Sequence, residues 1–249
     1  MRIGLFGFGK AGKAVASVIL GSEDCTLTWV VRKTTVLDHR SAPEYLGIKS
    51  KDTGLIYSKG EFPDIAQDKN LDVDAIIDFS SAASIYEYAD YAVRHNCIVV
   101  TAISKYGDKE QALLKKLGKK IRILWSPNIT IGINFLLVAA EVLKKIAPEA
   151  DIEILEEHFK TKSEVSGTAK VIARHLDLDE SSIKTIRAGG IVGKHEILFG
   201  FPYQVVRLIH ESISREAFGN GAVFALRNIK DKKAGLYTME DIMKPYFTI

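Results

Sequence analysis

The chain has 249 residues, of which 47% are hydrophobic and 26% charged, and its formal net charge at pH 7 is +3. This balance is typical of a globular protein, and the scattered lysine and arginine residues argue against a nucleic-acid partner. The two cysteines stand outside any C-x-x-C or Cys/His pattern, so we expect no metal site. No apolar stretch is as long as a membrane span and the first residues lack a signal-peptide pattern, so we expect a cytoplasmic protein without a membrane partner.

The first predicted unit is a strand, a glycine turn and a helix. Residues 3–6 form an apolar run typical of a buried strand, and three glycines then follow in the spacing G-x-G-x-x-G, before apolar residues at helical spacing. The first glycine permits a tight turn, the second lets a pyrophosphate approach the backbone, and the third lets helix pack on strand. We therefore predict a dinucleotide site here, and an ordinary glycine turn without a ligand is the alternative. The predicted contacts are Gly7, Phe8, Gly9, Lys10, Ala11 and Gly12.

Two cations stand at the end of the second predicted strand, residues 26–31, namely Arg32 and Lys33. An NAD-specific unit of this kind usually has an acidic residue there, which binds the ribose 2′-OH. Two cations suit a 2′-phosphate instead and so favour NADPH over NADH, with use of both cofactors left open. The alternative is a pair of solvated charges at a strand end.

Strands and helices alternate through the rest of the first half. Further strands are predicted at 75–79, 97–101 and 121–125, with helices beginning after Ser80 or Ser81 and running over 108–118. Residues 34–70 are predicted as mostly loop, with a short strand at 54–57 and with Pro43 and Pro63 as breakers. The alternation predicts a doubly wound parallel sheet, in which the loops after the strands share one ligand-binding edge. Those loops begin at Gly7, Arg32, Asp78, Thr101 and Ser126.

Beyond residue 129 the pattern changes to consecutive strands. An apolar helix is predicted at 135–146 and a short one at 169–176, with strands at 151–158, 182–188 and 195–201. Residues 205–214 are apolar at mixed period and are assigned to neither state. The predicted fold class is therefore α/β, with an N-terminal Rossmann-like doubly wound parallel sheet and a second α+β domain carrying a mostly antiparallel or mixed sheet.

The second half also holds a candidate catalytic pair. His158 and Lys162 are four residues apart, and Ser166, Gly167 and Thr168 follow at the start of a predicted helix. A helix N-terminus presents free N–H groups and a positive dipole to a carboxylate. Histidine and lysine beside it could transfer protons near neutral pH. The alternative is a surface histidine, a solvated lysine and an ordinary helix cap.

The whole chain resembles the 4-hydroxy-tetrahydrodipicolinate reductase (dihydrodipicolinate reductase) family of the lysine and diaminopimelate pathway. The glycine block is generic, whereas the His…Lys…Ser-Gly-Thr-Ala block and the Gly-x-Ile-x-Gly-x-His block are family-specific, and all blocks stand in the family's order. They are residues 7–12, 78–80, 126–134, 157–162 with 166–169, 187–195, 214–222 and 235–241.

The resemblance implies that a reduced nicotinamide cofactor, NADPH or NADH, delivers hydride to a cyclic imine-type dicarboxylate. It implies His158 as proton donor or acceptor and Lys162 as proton donor. Further cofactor contacts follow from the loops after the strands: Phe79, Thr101, Ala102, Ile103, Ser126, Pro127, Asn128 and Ile129. The implied substrate contacts are Phe159, Ser166, Gly167 and Thr168.

The resemblance also implies a domain division and an assembly. Residues 1–128 and 215–249 would form the dinucleotide-binding domain, since the C-terminal segment returns to it. Residues 129–214 would bind substrate and form a homotetramer through their sheet.

The chain departs from the family's pattern at several places. Phe159 stands where the family has a second histidine, the segment 163–165 is shorter than its counterpart, and Pro127 removes a backbone donor. The family's Gly-Thr-Thr-Gly nicotinamide loop is here residues 101–104, Thr-Ala-Ile-Ser. These differences leave two alternatives: an NAD(P)-dependent dehydrogenase of a related amino or imino acid, and a non-catalytic nucleotide-binding sensor, which would need neither His158 nor Lys162.

Overall fold

The structure, a computed structural model, describes residues 1–247. Residues 248 and 249, which the sequence assigns to the first domain, lie outside the described residues. In chain order the strands are β1 (Arg2–Phe6), β2 (Thr26–Arg32), β3 (Leu55–Ser58), β4 (Ala75–Asp78), β5 (Ile98–Thr101), β6 (Arg122–Trp125), β7 (Asp151–His158), β8 (Ile183–Arg187), β9 (Lys194–Phe201), β10 (Gln204–Glu211) and β11 (Gly235–Tyr237). The helices are α1 (Lys10–Leu20), α2 (Ala42–Leu46), α3 (Phe62–Ile65), α4 (Ile85–Arg94), α5 (Asp108–Gly118), α6 (Ile131–Ile146), α7 (Gly167–His175), α8 (Glu216–Ile229) and α9 (Met239–Met243).

Seven strands form a parallel sheet in the order β11-β6-β5-β4-β1-β2-β3. The predicted doubly wound parallel sheet is thus confirmed. Because the strands are parallel, the loops after β1, β2, β4, β5 and β6 meet at one edge. The chain changes direction across the sheet between β1 and β4, the place where such folds bind ligands.

Helices cover both faces of this sheet. On one face, Val15 and Ile19 of α1 and Leu226 of α8 belong to an apolar cluster with the strands. On the other, large aromatic side chains including Trp29 and Tyr88 fill a second cluster below α3, α4 and α5. Helix α8 packs directly on α1, and β11 pairs with β6, so the chain beyond residue 214 returns to the first sheet.

The second sheet has the order β10-β9-β7-β8. Its β7–β8 pair is parallel and the other pairs are antiparallel, so the sheet is mixed, as predicted. Helices α6 and α7 cover one face, where Leu136 and Ile172 pack on Ile197 and Phe199. The opposite face has no helix of residues 1–247 over it and exposes apolar side chains, among them Val205 at 55% exposure.

The expectation of loop over residues 34–70 was wrong at two short helices. Pro43 and Pro63 lie in the first turns of α2 and α3 rather than ending a helix. A first turn leaves its N–H groups without intrahelical partners, so a residue that lacks the N–H is accepted there.

The structure also differs from the predicted elements at α6 and β10. Helix α6 begins at Ile131 rather than residue 135, and the Asn134 side chain in its first turn donates to the carbonyl oxygens of Asn128 and Thr130, each at 2.8 Å. The segment 205–214, for which the sequence predicts neither helix nor strand, lies mostly in strand β10, whose exposed apolar residues are on the open face of the sheet. No helix within residues 1–247 has both the length and the hydrophobicity needed to cross a membrane.

Candidate functional site

The glycine turn between β1 and α1 lies against the end of β4. Gly7 has a φ of +98°, and a Cβ there would lie 2.6 Å from the carbonyl oxygen of Phe79. A Cβ on Gly12 would lie 2.0 Å from the carbonyl oxygen of Gly7. Gly9 differs, because a Cβ there would meet nothing within 4 Å, and it is the N-cap of α1. The first and third glycines close the turn, and the second leaves an open approach to the helix N-terminus, which fits a pyrophosphate.

A cleft of about 470 Å³ lies beside this turn. Three cations line it: Arg32 and Lys33 from the end of β2, and Lys59 from the end of the neighbouring β3. The sequence predicts mostly loop around Lys59 and does not single this residue out. The Nζ of Lys59 also lies 2.8 Å from Glu87 Oε1. The predicted cofactor residues that line the cleft are Gly7, Phe8, Gly9, Arg32, Lys33 and Phe79. Lys10, Ala11 and Gly12 form the first turn of α1, and Lys10 faces a neighbouring cleft that Arg215 also lines.

The loop after β4 is fixed to the protein interior by Asp78. This side chain is fully buried and accepts hydrogen bonds from the Ser80 backbone at 2.9 Å and from the Tyr88 hydroxyl at 3.0 Å. Burial raises the pKa of Asp78 to about 6, against the opposing effect of these hydrogen bonds. The backbone of Phe79 and Ser80 is thereby held against the glycine turn.

The loop after β5, which departs from the family pattern, is held by side chains instead of glycines. Thr101 is fully buried, and its Oγ1 lies 2.8 Å from the hydroxyl of Tyr106. Ile103 is buried, and its carbonyl oxygen accepts a hydrogen bond from Trp125 Nε1 at 2.9 Å. Ala102 between them is half-buried. Two of the three predicted nicotinamide contacts in this loop therefore point into the protein.

The loop after β6 joins the two halves of the candidate site. Ser126 Oγ donates to the carbonyl oxygen of Asn128 at 2.6 Å, and Ile129 is buried, whereas Pro127 is exposed. Asn128 Nδ2 in turn donates to Thr168 Oγ1, 3.3 Å away at the start of α7. A predicted cofactor residue and a predicted substrate residue are thus in direct contact.

In the second sheet, His158 is bound to a buried carboxylate. The inward face of β7 carries Ile154, Glu156 and His158 in alternation, and Glu156 is fully buried. Glu156 Oε2 lies 2.5 Å from His158 Nδ1, while Arg187 on β8 donates to both carboxylate oxygens, at 3.0 and 2.5 Å. Burial alone would raise the pKa of Glu156, but hydrogen bonds from Arg187 and His158 outweigh it and hold the pKa below its usual value.

Lys162 ends a tight turn that begins at Phe159, with its N–H 3.1 Å from the Phe159 carbonyl oxygen. Arg187 Nε donates to the carbonyl oxygen of Lys162 at 2.9 Å, so one guanidinium holds both Glu156 and this turn. Lys162 is half-buried and Phe159 is 42% exposed. Arg187 therefore links the carboxylate behind His158 to the backbone of Lys162, a contact that the sequence does not show.

Helix α7 begins beside this pair. Its N-cap, Ser166, makes no side-chain cap; Ser166 Oγ instead lies 2.9 Å from His195 Nε2. A Cβ on Gly167 would meet nothing within 4 Å, so the helix N-terminus is open. There is therefore space for an anion beside Gly167 at the start of this helix.

His195 on β9 is a second buried histidine that sequence reasoning did not assign to the site. Its ring centroid lies 5.3 Å from that of His158, and its Nδ1 is buried without a hydrogen-bond partner in residues 1–247. Burial lowers the pKa of His195 to about 4, and the positive charge of Lys162 nearby acts in the same direction. His195 is therefore neutral near pH 7.

Acid should destabilise the fold through His195. Between pH 6.5 and pH 4 the unfolded chain binds a proton at this histidine and the folded chain does not, so stability falls as pH falls through that window. His195→Gln should remove on the order of 2 kcal/mol of this loss, measured as the free energy of unfolding in urea at pH 4.5 and pH 7. The exposed His39, replaced by glutamine, is the control; an unchanged pH dependence in His195→Gln would contradict the assignment.

Comparison with known proteins identifies the same family as the sequence motifs do. The model of dihydrodipicolinate reductase, N-terminus, matches residues 1–129, and that of dihydrodipicolinate reductase, C-terminus, matches residues 130–243. The 4-hydroxy-tetrahydrodipicolinate reductase of Thermosipho africanus is 30% identical over 249 residues, covering 99% of this chain and 100% of the relative. The enzyme of the same name from Rickettsia canadensis is 31% identical over 265 residues, with the same coverage, 99% and 100%.

A solved structure shares the fold. The dipicolinate-bound dihydrodipicolinate reductase from Paenisporosarcina sp. TG-14 aligns with a TM-score of 0.75 at 19% identity. The alignment covers 96% of this chain and 97% of that structure.

Proposed function

Since the chain belongs to the dihydrodipicolinate reductase family and is therefore an oxidoreductase, we propose that it reduces 4-hydroxy-tetrahydrodipicolinate with NAD(P)H in lysine and diaminopimelate biosynthesis. The contact that carries the proposal is the one between Asn128 and Thr168. It joins the loop edge that fits a dinucleotide to the helix terminus that fits a carboxylate, which is the arrangement that hydride transfer to a dicarboxylate requires.

Each half of the site then has a defined task. Residues of the glycine turn and the cleft beside it would hold the cofactor, which supplies the hydride when bound. Gly167 and Thr168 at the start of α7 would hold a substrate carboxylate. Hydride addition leaves negative charge on the substrate, and Lys162 would donate the proton that neutralises it, with His158 as proton donor or acceptor beside it.

We infer a preference for NADPH from the cations of the cleft. Arg32 and Lys33 follow β2, where an acidic residue would bind the ribose of NADH, and Lys59 lines the same cleft. Arg32→Ala should raise the KM for NADPH about tenfold and leave that for NADH nearly unchanged, because only the 2′-phosphate loses a charge-assisted hydrogen bond. Steady-state assays with each cofactor measure this, with Arg94→Ala, outside the cleft, as control. Equal losses for both cofactors would rule out the 2′-phosphate contact.

We also propose the domain division 1–128 with 215–249, and 129–214. The packing of α8 on α1 and the pairing of β11 with β6 support it. The second domain would form a homotetramer through its open sheet face, since Ile186, Val205 and Ile209 expose 42%, 55% and 54% of their surface there. Sedimentation of the pure protein should then give the mass of four chains. We place the enzyme in the cytoplasm, where its family's pathway and its reduced cofactor would be found.

The proposed reaction is tested by a coupled assay in which the substrate is generated freshly and oxidation of NADPH or NADH is followed. Rapid oxidation that depends on the substrate is expected. Oxidation only with a related amino or imino acid would point to the dehydrogenase alternative, for which Phe159 replacing a family histidine is the relevant change. Cofactor binding without oxidation of any such substrate would point to a nucleotide sensor.

A further inference from the structure

Glu156 lies behind His158 and has four donors around its two oxygens. Besides Arg187 and His158, the backbone N–H of Ser166 donates to Oε1 at 3.3 Å. A carboxylate that is fully buried and paired with a guanidinium accepts hydrogen bonds and donates none. The nitrogen of His158 that faces it, Nδ1, must therefore carry a proton.

This arrangement determines the protonation state of the other ring nitrogen of His158, Nε2. When the imidazole is neutral and Nδ1 carries the proton, Nε2 has the free lone pair. Nε2 lies next to Gly193 in the loop between β8 and β9, where a Cβ would stand 3.1 Å from it. A side chain at position 193 would crowd Nε2, so the glycine there leaves room beside this nitrogen.

We propose that Glu156, with its charge balanced by Arg187, is a positioning residue that fixes neutral His158 in the Nδ1–H tautomer and directs Nε2 toward the substrate. The proposal rests on the proposed function for the identity of that substrate. Glu156 is fully buried behind His158, so its effect on turnover would pass through the orientation and protonation of His158.

The test is the tautomer of His158 in the ligand-free protein, read from its ring ¹⁵N shifts at pH 8, above the usual range of imidazole titration. The His158 signals are identified by their loss in His158→Asn. Wild type and Glu156→Asp should show the Nδ1–H form, because both present a carboxylate. Glu156→Gln should shift the ring toward Nε2–H, since its amide can donate to Nδ1. Glu180→Gln, which removes a surface carboxylate paired with Lys170 at 3.0 Å, should change nothing.

Turnover gives a second readout. Glu156→Gln should lower kcat at least about tenfold with little change in the cofactor KM, and Glu156→Asp should retain more activity than Glu156→Gln. A purely structural role would lower stability in both variants without moving the tautomer, which would overturn the proposal. If Glu156→Gln does not fold, an Nε2–H form of His158 in the wild type would overturn it equally. The ¹⁵N measurement needs no substrate, so failure of the proposed reaction in the coupled assay is a separate result.

Discussion

Replacing Lys162 with alanine is expected to lower kcat at least about a hundredfold while leaving cofactor affinity nearly unchanged. The reason is the position of its turn, which Arg187 ties to the same carboxylate that binds His158. In the proposed mechanism an ammonium there would protonate the substrate, whereas other loops would hold the cofactor. Steady-state turnover and calorimetric titration with NADPH measure the two quantities separately.

Two further variants identify what the lysine contributes. Lys160→Ala removes an exposed ammonium two residues away in the same turn and should leave kcat unchanged. Lys162→Arg keeps the positive charge but does not release a proton near neutral pH, so it should be almost as slow as Lys162→Ala. Full activity in Lys162→Ala would remove this residue from the mechanism, and recovery in Lys162→Arg would reduce its role to charge alone.

Six of the seven strands of the first sheet, β1 to β6, were predictable because their signals are local, whereas β11 was not predicted. Residues 3–6 are apolar, glycines follow at fixed spacing, and the next strands are short apolar runs separated by helical patterns. Each signal is complete within about 20 residues, so no knowledge of distant contacts was needed. The two short helices within residues 34–70 were not predictable in this way, because a proline in the first turn of a very short helix looks in sequence like a proline that ends a helix.

The candidate site was only half predictable, because it is assembled across strands. His158, Lys162 and the start of α7 are close in sequence and could be grouped by spacing. Arg187 and His195 reach them only through the register of the second sheet, where His158 pairs with Arg187 and Glu156 with His195. That register depends on long-range pairing, which spacing along the chain does not contain.

One signal for Glu156 was present in the sequence. Strand 151–158 alternates, and residues 154, 156 and 158 share one face because side chains of a strand point to opposite sides in turn. An acidic residue between isoleucine and histidine on the covered face demands a buried cationic partner. The sequence could thus have predicted a buried ion pair at Glu156, though not that Arg187 is the partner.

The two glycines of the first turn should separate folding from cofactor binding. In Gly12→Ala the new Cβ would lie 2.0 Å from a backbone oxygen that cannot move away cheaply, so we expect a loss of about 3 kcal/mol in the free energy of unfolding. In Gly9→Ala the Cβ meets nothing within 4 Å and the backbone, with φ of −79°, suits alanine, so the loss should not exceed about 1 kcal/mol, the cost of alanine at an N-cap.

Cofactor binding should respond to the other substitution, Gly9→Ala. Gly9→Ala places a methyl group where the pyrophosphate would approach the N-terminus of α1, so NADPH affinity should fall about a hundredfold in a protein that is folded normally. Urea denaturation without cofactor and calorimetric titration with NADPH measure the two effects on the same samples. Wild-type affinity in Gly9→Ala would place the pyrophosphate elsewhere, and wild-type stability in Gly12→Ala would contradict the close contact of helix and turn. A glycine motif that only formed a tight turn would lose stability on substitution of Gly7 or Gly12 and would tolerate Gly9→Ala. The NADPH affinity of Gly9→Ala therefore decides whether the turn binds a dinucleotide.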